Sequence, residues 1–134
     1  MTRILTIVTV LLCVSACNQP EDDDPFFTQW PRADWVDRAA NLGTKENYRL
    51  YKLMMHWPPP WDTRLAEPLG PRGRDAIVVW VQDLEDGNGL EQVWQFGPIF
   101  DAVYSARGYS ICEDRPLYER AKIALSRAHG FDDQ

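Results

Sequence analysis

The side chains able to transfer protons, hold metals or attack an acyl group are few in this chain and widely scattered. Its two histidines, His56 and His129, stand 73 residues apart, and neither has a second ligand at metal spacing. A zinc site needs three or four such groups, so each reads as a surface or helix-end histidine, His129 suiting the negative end of a helix dipole. The run Asp83-Leu84-Glu85-Asp86-Gly87-Asn88-Gly89-Leu90-Glu91 superficially suggests calcium, but the EF-hand order needs oxygen ligands at positions 1, 3 and 5 and glycine at 6. Starting at Asp83 puts Gly87 at position 5, and starting at Asp86 puts Leu90 there. The segment therefore reads as an acidic turn. Gly-x-Ser-x-Gly, His-Glu-x-x-His, a phosphate-binding loop and Cys-x-x-Cys are all absent. Carboxylate pairs such as Glu67 and Asp75 exist, as in any acidic chain, and nothing in their spacing ranks them. No catalytic residue, metal or cofactor is assigned, and the expectation is a protein that is not an enzyme.

The densest unusual feature is His56-Trp57-Pro58-Pro59-Pro60-Trp61. Two tryptophans flanking a rigid proline run could offer a partner a preorganised aromatic surface. They could equally fold back over a core, which is the better expectation for a tryptophan pair. If any segment is a recognition epitope it is this loop, and Trp57, Pro59 and Trp61 are the candidate partner-binding residues.

The first seventeen residues carry a different chemistry. Arg3 is followed by the apolar run Ile4 to Leu12, and Val14-Ser15-Ala16-Cys17 closes the segment with small residues and a thiol. A basic start, about ten apolar residues and a small-residue cleavage site make a secretory signal, too short to span a bilayer. The ending Val14-Ser15-Ala16-Cys17 resembles the lipobox of bacterial lipoproteins. That resemblance implies cleavage before Cys17, diacylation of its sulfur and usually acylation of the new amino terminus. It implies a membrane anchor through lipid on Cys17, and Asn18 after the cysteine favours the outer membrane over the inner. Two or three acyl chains meet the requirement for stable anchoring, at about 0.8 kcal/mol per buried methylene.

Removing residues 1–16, among which Arg3 is the only charge, leaves 118 of the 134 residues and moves the formal charge from −6 to −7. That length makes one ordinary domain. Six tryptophans, five tyrosines and five phenylalanines argue for a packed globule. The acidic balance weighs against nucleic acid, whose phosphates demand a basic footprint, and against docking of the protein surface on anionic lipid. With Cys13 removed and Cys17 acylated, Cys112 is the one remaining thiol; burial is expected for it, with an intermolecular bridge as the other outcome.

Residues 18–25 (NQPEDDDP) read as an acidic tether after the lipidated Cys17, so the expected organisation is 1–16 signal peptide, 17–25 anchor and tether, and 26–134 a single globular helical domain. At roughly 3.3 Å per extended residue the tether reaches about 25–30 Å. Pro31 could be the first residue of a helix with the stripe Ala33, Val36, Ala39/Ala40 and Leu42, ending at Gly43. Thr44 is a good N-cap for a helix through about His56, with Tyr48, Tyr51, Leu53 and Met55 on its apolar face and Leu50 and Met54 alongside. Pro58-Pro59-Pro60 stops it, and Asp62 caps a short helical turn through Leu65 that ends near Gly70.

Residues 76–96 are ambiguous. Ile77 to Val81 is β-branched enough for a strand, and Asp86 to Gly89 could turn a hairpin. Ala76, Val79, Trp80 and Leu84 fall at helical spacing, which is preferred. Ile99, Phe100, Val103 and Tyr104 make the next stripe, closed by Arg107 and Gly108. Asp114 with Pro116 opens a last helix through Leu117, Ala121, Ala124 or Leu125, and Ala128, ending at Gly130. The expected class is an all-α small bundle of about five to six helices, the alternative an α+β fold with a hairpin at 76–96. From Leu69 to Tyr109, the pattern Ala-x-x-Val-Trp-x-x-x-Leu with a glycine-flanked start, a turn and a second apolar helix resembles a HEAT-type helical pair, although no internal period repeats three times.

The function these features imply is a non-catalytic protein-binding or accessory lipoprotein, facing the periplasm and contacting another envelope protein. An immunity lipoprotein neutralising a basic secreted toxin is one alternative, its acidic charge suiting fast steering. An envelope enzyme acting on cell wall or lipid is another.

Overall fold

The structure is a computed structural model and describes residues 24–56, 62–87 and 96–129, with the side chains of Ala128 and His129 left aside. Cys17, Trp57, Pro59 and Trp61 lie outside the described residues, as does the proposed second half of a hairpin at 90–95. Among the described residues the chain forms six α-helices: α1 (Pro25–Gln29), α2 (Trp35–Ala40), α3 (Thr44–Met55), α4 (Arg74–Glu85), α5 (Gly97–Arg107) and α6 (Arg115–His129). Three 3-10 segments, Arg32–Asp34, Arg64–Arg72 and Ile111–Glu113, join them. No strand occurs among these residues, and the fold is an all-α bundle.

The ambiguity at 76–96 resolves to helix where it is described. In α4 the buried residues Ala76, Ile77, Trp80, Val81 and Leu84 repeat at one- and three-residue steps, which places them on one helical face. Gly87, at φ 72°, stops the chain in a left-handed conformation. The β-branched run was the misleading signal: Val78 and Val79 are half-buried, so burial outweighed strand propensity.

The first helices differ from the expected pattern. Asp24 and Pro25 belong to the folded body, because the Asp24 carboxylate accepts the Phe26 N–H at 2.9 Å and caps α1. Pro31 precedes a 3-10 turn rather than opening a helix, and Ala33 is exposed. The buried pair is Trp35 and Ala39, one turn apart, with Trp35 edge-on to Phe27 at 4.8 Å and its Nε1 donating to the Trp30 carbonyl at 3.0 Å. Helix α3 begins at Thr44 with Gly43 in the cap position, one residue earlier than expected. It buries Tyr48, Leu50, Tyr51, Met54 and Met55, and also Asn47, which is fully enclosed with neither amide atom hydrogen-bonded.

Asp62 does start the next turn, its Oδ1 accepting the Arg64 N–H at 3.1 Å. The segment continues as 3-10 structure over nine residues, interrupted by Pro68 and Pro71, whose missing N–H groups prevent an α-helical ladder. This segment is the hub on which α2, α3 and α5 pack, while α4 lies against α3 and α6. Gly70 explains the closest approach: a Cβ there would stand 2.7 Å from the Ala102 carbonyl oxygen of α5. Phe96 sits at the core centre, with its ring 6.0 Å from Tyr48, 6.3 Å from Tyr51 and 6.1 Å from Trp80.

The end of the chain follows the sequence closely. Gly108 closes α5 in the left-handed region and donates its N–H to the Tyr104 carbonyl at 2.7 Å. Asp114 receives the Leu117 N–H on its side chain and the Tyr118 N–H on its carbonyl, opening α6. Leu117, Ala121 and Ala124 are buried. Cys112 is exposed, contrary to the expected burial. It belongs to a three-residue 3-10 turn, where only one side chain can point inward, and Ile111 takes that place against the core.

Candidate functional site

The polar face of α3, rather than its apolar one, builds the site. Lys45, Arg49, Lys52 and His56 follow one another at spacings of four, three and four residues, which aligns them as a stripe along one side of the helix. Across from them α4 presents Val79, Gln82, Asp83 and Asp86, and the two helices enclose a cleft of about 420 Å³. Tyr48 and Leu53 supply apolar surface within it.

One carboxylate joins the two walls. Asp83 Oδ2 accepts the Tyr48 hydroxyl at 3.0 Å and the Lys52 ammonium at 2.6 Å. Burial, and then the neighbouring Asp83 charge, push the Tyr48 phenol far above its ordinary value, so it remains a neutral donor. On α4, Gln82 Nε2 donates to Asp86 Oδ1 at 3.0 Å.

The basic wall is tied to Asp24, whose side chain caps α1. Arg49 donates through Nε and Nη2 to the two oxygens of Glu46, at 2.9 and 2.6 Å, and through Nη1 to Asp24 Oδ2 at 2.7 Å. Burial raises the Asp24 pKa, but the hydrogen bonds from Arg49 and from the Phe26 N–H outweigh it, and the carboxyl is held below its usual range. Glu46 is lowered chiefly by Arg49. General acid–base catalysis at neutral pH needs groups poised near 7. These shifts move the other way, keeping carboxylates ionised and the phenol neutral, which suits electrostatic recognition.

His56 is exposed at the end of the basic wall. It immediately precedes the Trp57-Pro58-Pro59-Pro60-Trp61 loop, and the chain is described again at Asp62. There Arg32 and Arg64 clamp the carboxylate, with Nη2 to Oδ2 distances of 2.8 and 2.6 Å. Arg32 also lies over the Trp35 ring, 5.5 Å from its centroid, and Arg38 over Trp30 at 3.7 Å. The two described residues that flank positions 57–61 in sequence are thus His56, which lines the cleft, and Asp62, which is held by Arg32 and Arg64.

Glu67 and Asp75 are exposed and do not line the cleft. Asp83 and Asp86, read from sequence as parts of an acidic turn, are cleft residues instead. Among the described residues no group of three His, Cys, Asp or Glu side chains could hold a metal ion, and no helix is long and apolar enough to cross a membrane. The basic stripe has a plain spacing in the sequence, but Lys45, Arg49, Lys52 and His56 interleave with the stronger apolar pattern of Tyr48, Leu50, Tyr51, Met54 and Met55 on the same helix. Compared with protein-family models, curated proteins and solved structures, the chain matches none.

Proposed function

We propose that this protein is a lipid-anchored component of the bacterial cell envelope, and that its helical body is a non-catalytic module that binds another envelope protein. The anchor is read from the apolar run Ile4 to Leu12 followed by Val14-Ser15-Ala16-Cys17. Lipid on Cys17 would hold the body facing the periplasm, with the outer membrane favoured. The binding role is carried by one observation: a mixed-charge α3–α4 cleft is lined by Lys45, Arg49, Lys52, Asp83 and Asp86, and by His56, which precedes Trp57-Pro58-Pro59-Pro60-Trp61 in sequence. The cleft offers the polar rim that protein interfaces use, and Trp57 and Trp61, next in sequence, are of the side-chain type that anchors such interfaces. The mature net charge of −7 favours a basic partner, and an immunity role against a basic secreted toxin is the sharper form of this reading.

Photo-cross-linking in the native envelope tests it. A photoreactive residue replacing His56 or Trp57 should capture one discrete partner, while the same group at the exposed Tyr104 should not. Identical capture from both faces, or none from the cleft side, would remove the binding role.

A further inference from the structure

Most of the charges that line the α3–α4 cleft are already answered within the fold. Arg49 is paired with Glu46 and Asp24, and Lys52 with Asp83. Lys45 on α3 and Asp86 on α4 line the same cleft and are both exposed. Among the described residues neither joins an ion pair, with the other or with any third group. Asp86 receives the neutral Gln82 amide at 3.0 Å, which leaves its charge uncancelled. Leu53 and Val79, both half-buried, add apolar surface to the cleft. Its volume of about 420 Å³ lies within the range of ligand-holding pockets, about 300–1,000 Å³.

An occupant of a single sign would answer one of these two charges and be repelled by the other. An occupant carrying both signs answers both. In an extended segment, neighbouring side chains point to opposite sides, so an adjacent acidic–basic pair turns one charge toward each wall. We propose that the cleft binds an extended segment of the partner in which an acidic residue, facing Lys45, adjoins a basic residue facing Asp86. Apolar neighbours of that pair rest on Leu53 and Val79. The inference rests on the binding role proposed above and narrows the partner's chemistry at this surface. The overall acidic charge acts on the approach of a partner, while the two local charges select the segment.

Nuclear magnetic resonance titration of the full chain in detergent with the blocked peptide acetyl-Leu-Glu-Lys-Leu-amide tests it. Peptides with Glu-Glu or Lys-Lys in the central positions are the controls. The mixed peptide should shift the backbone amide signals of Lys45 and Asp86 and bind more tightly than either control. Asp86→Lys should transfer the preference to the Glu-Glu peptide, and Lys45→Glu to the Lys-Lys peptide. Each reversal should change the relative affinity about two- to fivefold, the scale of an exposed ion pair. Both positions are exposed, so the fold should survive, as an unchanged circular dichroism spectrum would verify. The proposal is overturned if millimolar mixed peptide shifts neither signal, if all three peptides bind alike, or if reversal leaves the preference where it was. Capture of a discrete partner through a photoreactive group at His56 alongside any of those results removes this inference alone. Absence of that capture removes the binding role on which it rests.

Discussion

Asp83 is the residue on which the cleft depends, because one oxygen accepts from two donors of the opposite helix. Asp83→Asn leaves the half-buried Lys52 without its counter-charge and weakens the acceptor for Tyr48. A loss of about 1–3 kcal/mol is expected, seen as a lower urea midpoint at unchanged slope; an unchanged midpoint would show that the pair adds nothing. Asp62 governs an acid response of its own, through its pairs with Arg32 and Arg64. The Arg64 guanidinium, with Arg32 beyond it, holds the Asp62 carboxyl well below the usual carboxylate range. A carboxyl lowered on folding adds stability that is complete above its unfolded pKa of about 4 and is lost as pH falls toward the folded value. Asp62→Asn should therefore flatten the decline of stability below about pH 4, and a decline as steep as in the parent would contradict that role.

At the level of elements, the 3-10 hub is the most demanding piece of packing. Gly70→Ala drives a Cβ to 2.7 Å from the Ala102 carbonyl, and the backbone of α5 must move to admit it. A cost of about 1–3 kcal/mol follows, measurable as a fall in Tm, whereas an unaltered Tm would mean the segment is loosely seated. This hub was only partly legible in the sequence. Asp62 and Gly70 marked its ends, but Pro68 and Pro71 concealed a continuous 3-10 run, which has no hydrophobic period of its own. Helix α6 was read almost to the residue because Asp114, Pro116 and the Leu117–Ala121–Ala124 stripe all agree locally. Helix α4 was harder, since β-branched side chains opposed the helical spacing and only tertiary burial decided. In the first helices Trp35 displaced Ala33 from the expected stripe, because the larger ring fills the space against Phe27. The cleft was missed altogether: it arises from two helix faces whose pairing through Tyr48, Lys52 and Asp83 is long-range. The enclosed Asn47 carries no periodicity signal either.

Taken as a whole, the molecule combines an acidic composition, a mixed-charge cleft and an amino-terminal sequence that resembles a lipoprotein signal. The clamp between Asp24 and Arg49 ties the cleft to the residue that follows Glu21-Asp22-Asp23 in sequence. If Cys17 is anchored as proposed, the six residues between it and Asp24 would reach at most about 20–25 Å. Lipid on Cys17 is therefore the claim on which location and partner class both depend. Mass spectrometry of the amino-terminal peptide from protein purified out of its native membrane tests it directly. The account predicts a chain beginning at Cys17 with a diacylglyceryl group on its sulfur, lost together with membrane association in Cys17→Ser. An unmodified Cys17, or cleavage elsewhere with the protein free of the membrane, would contradict it.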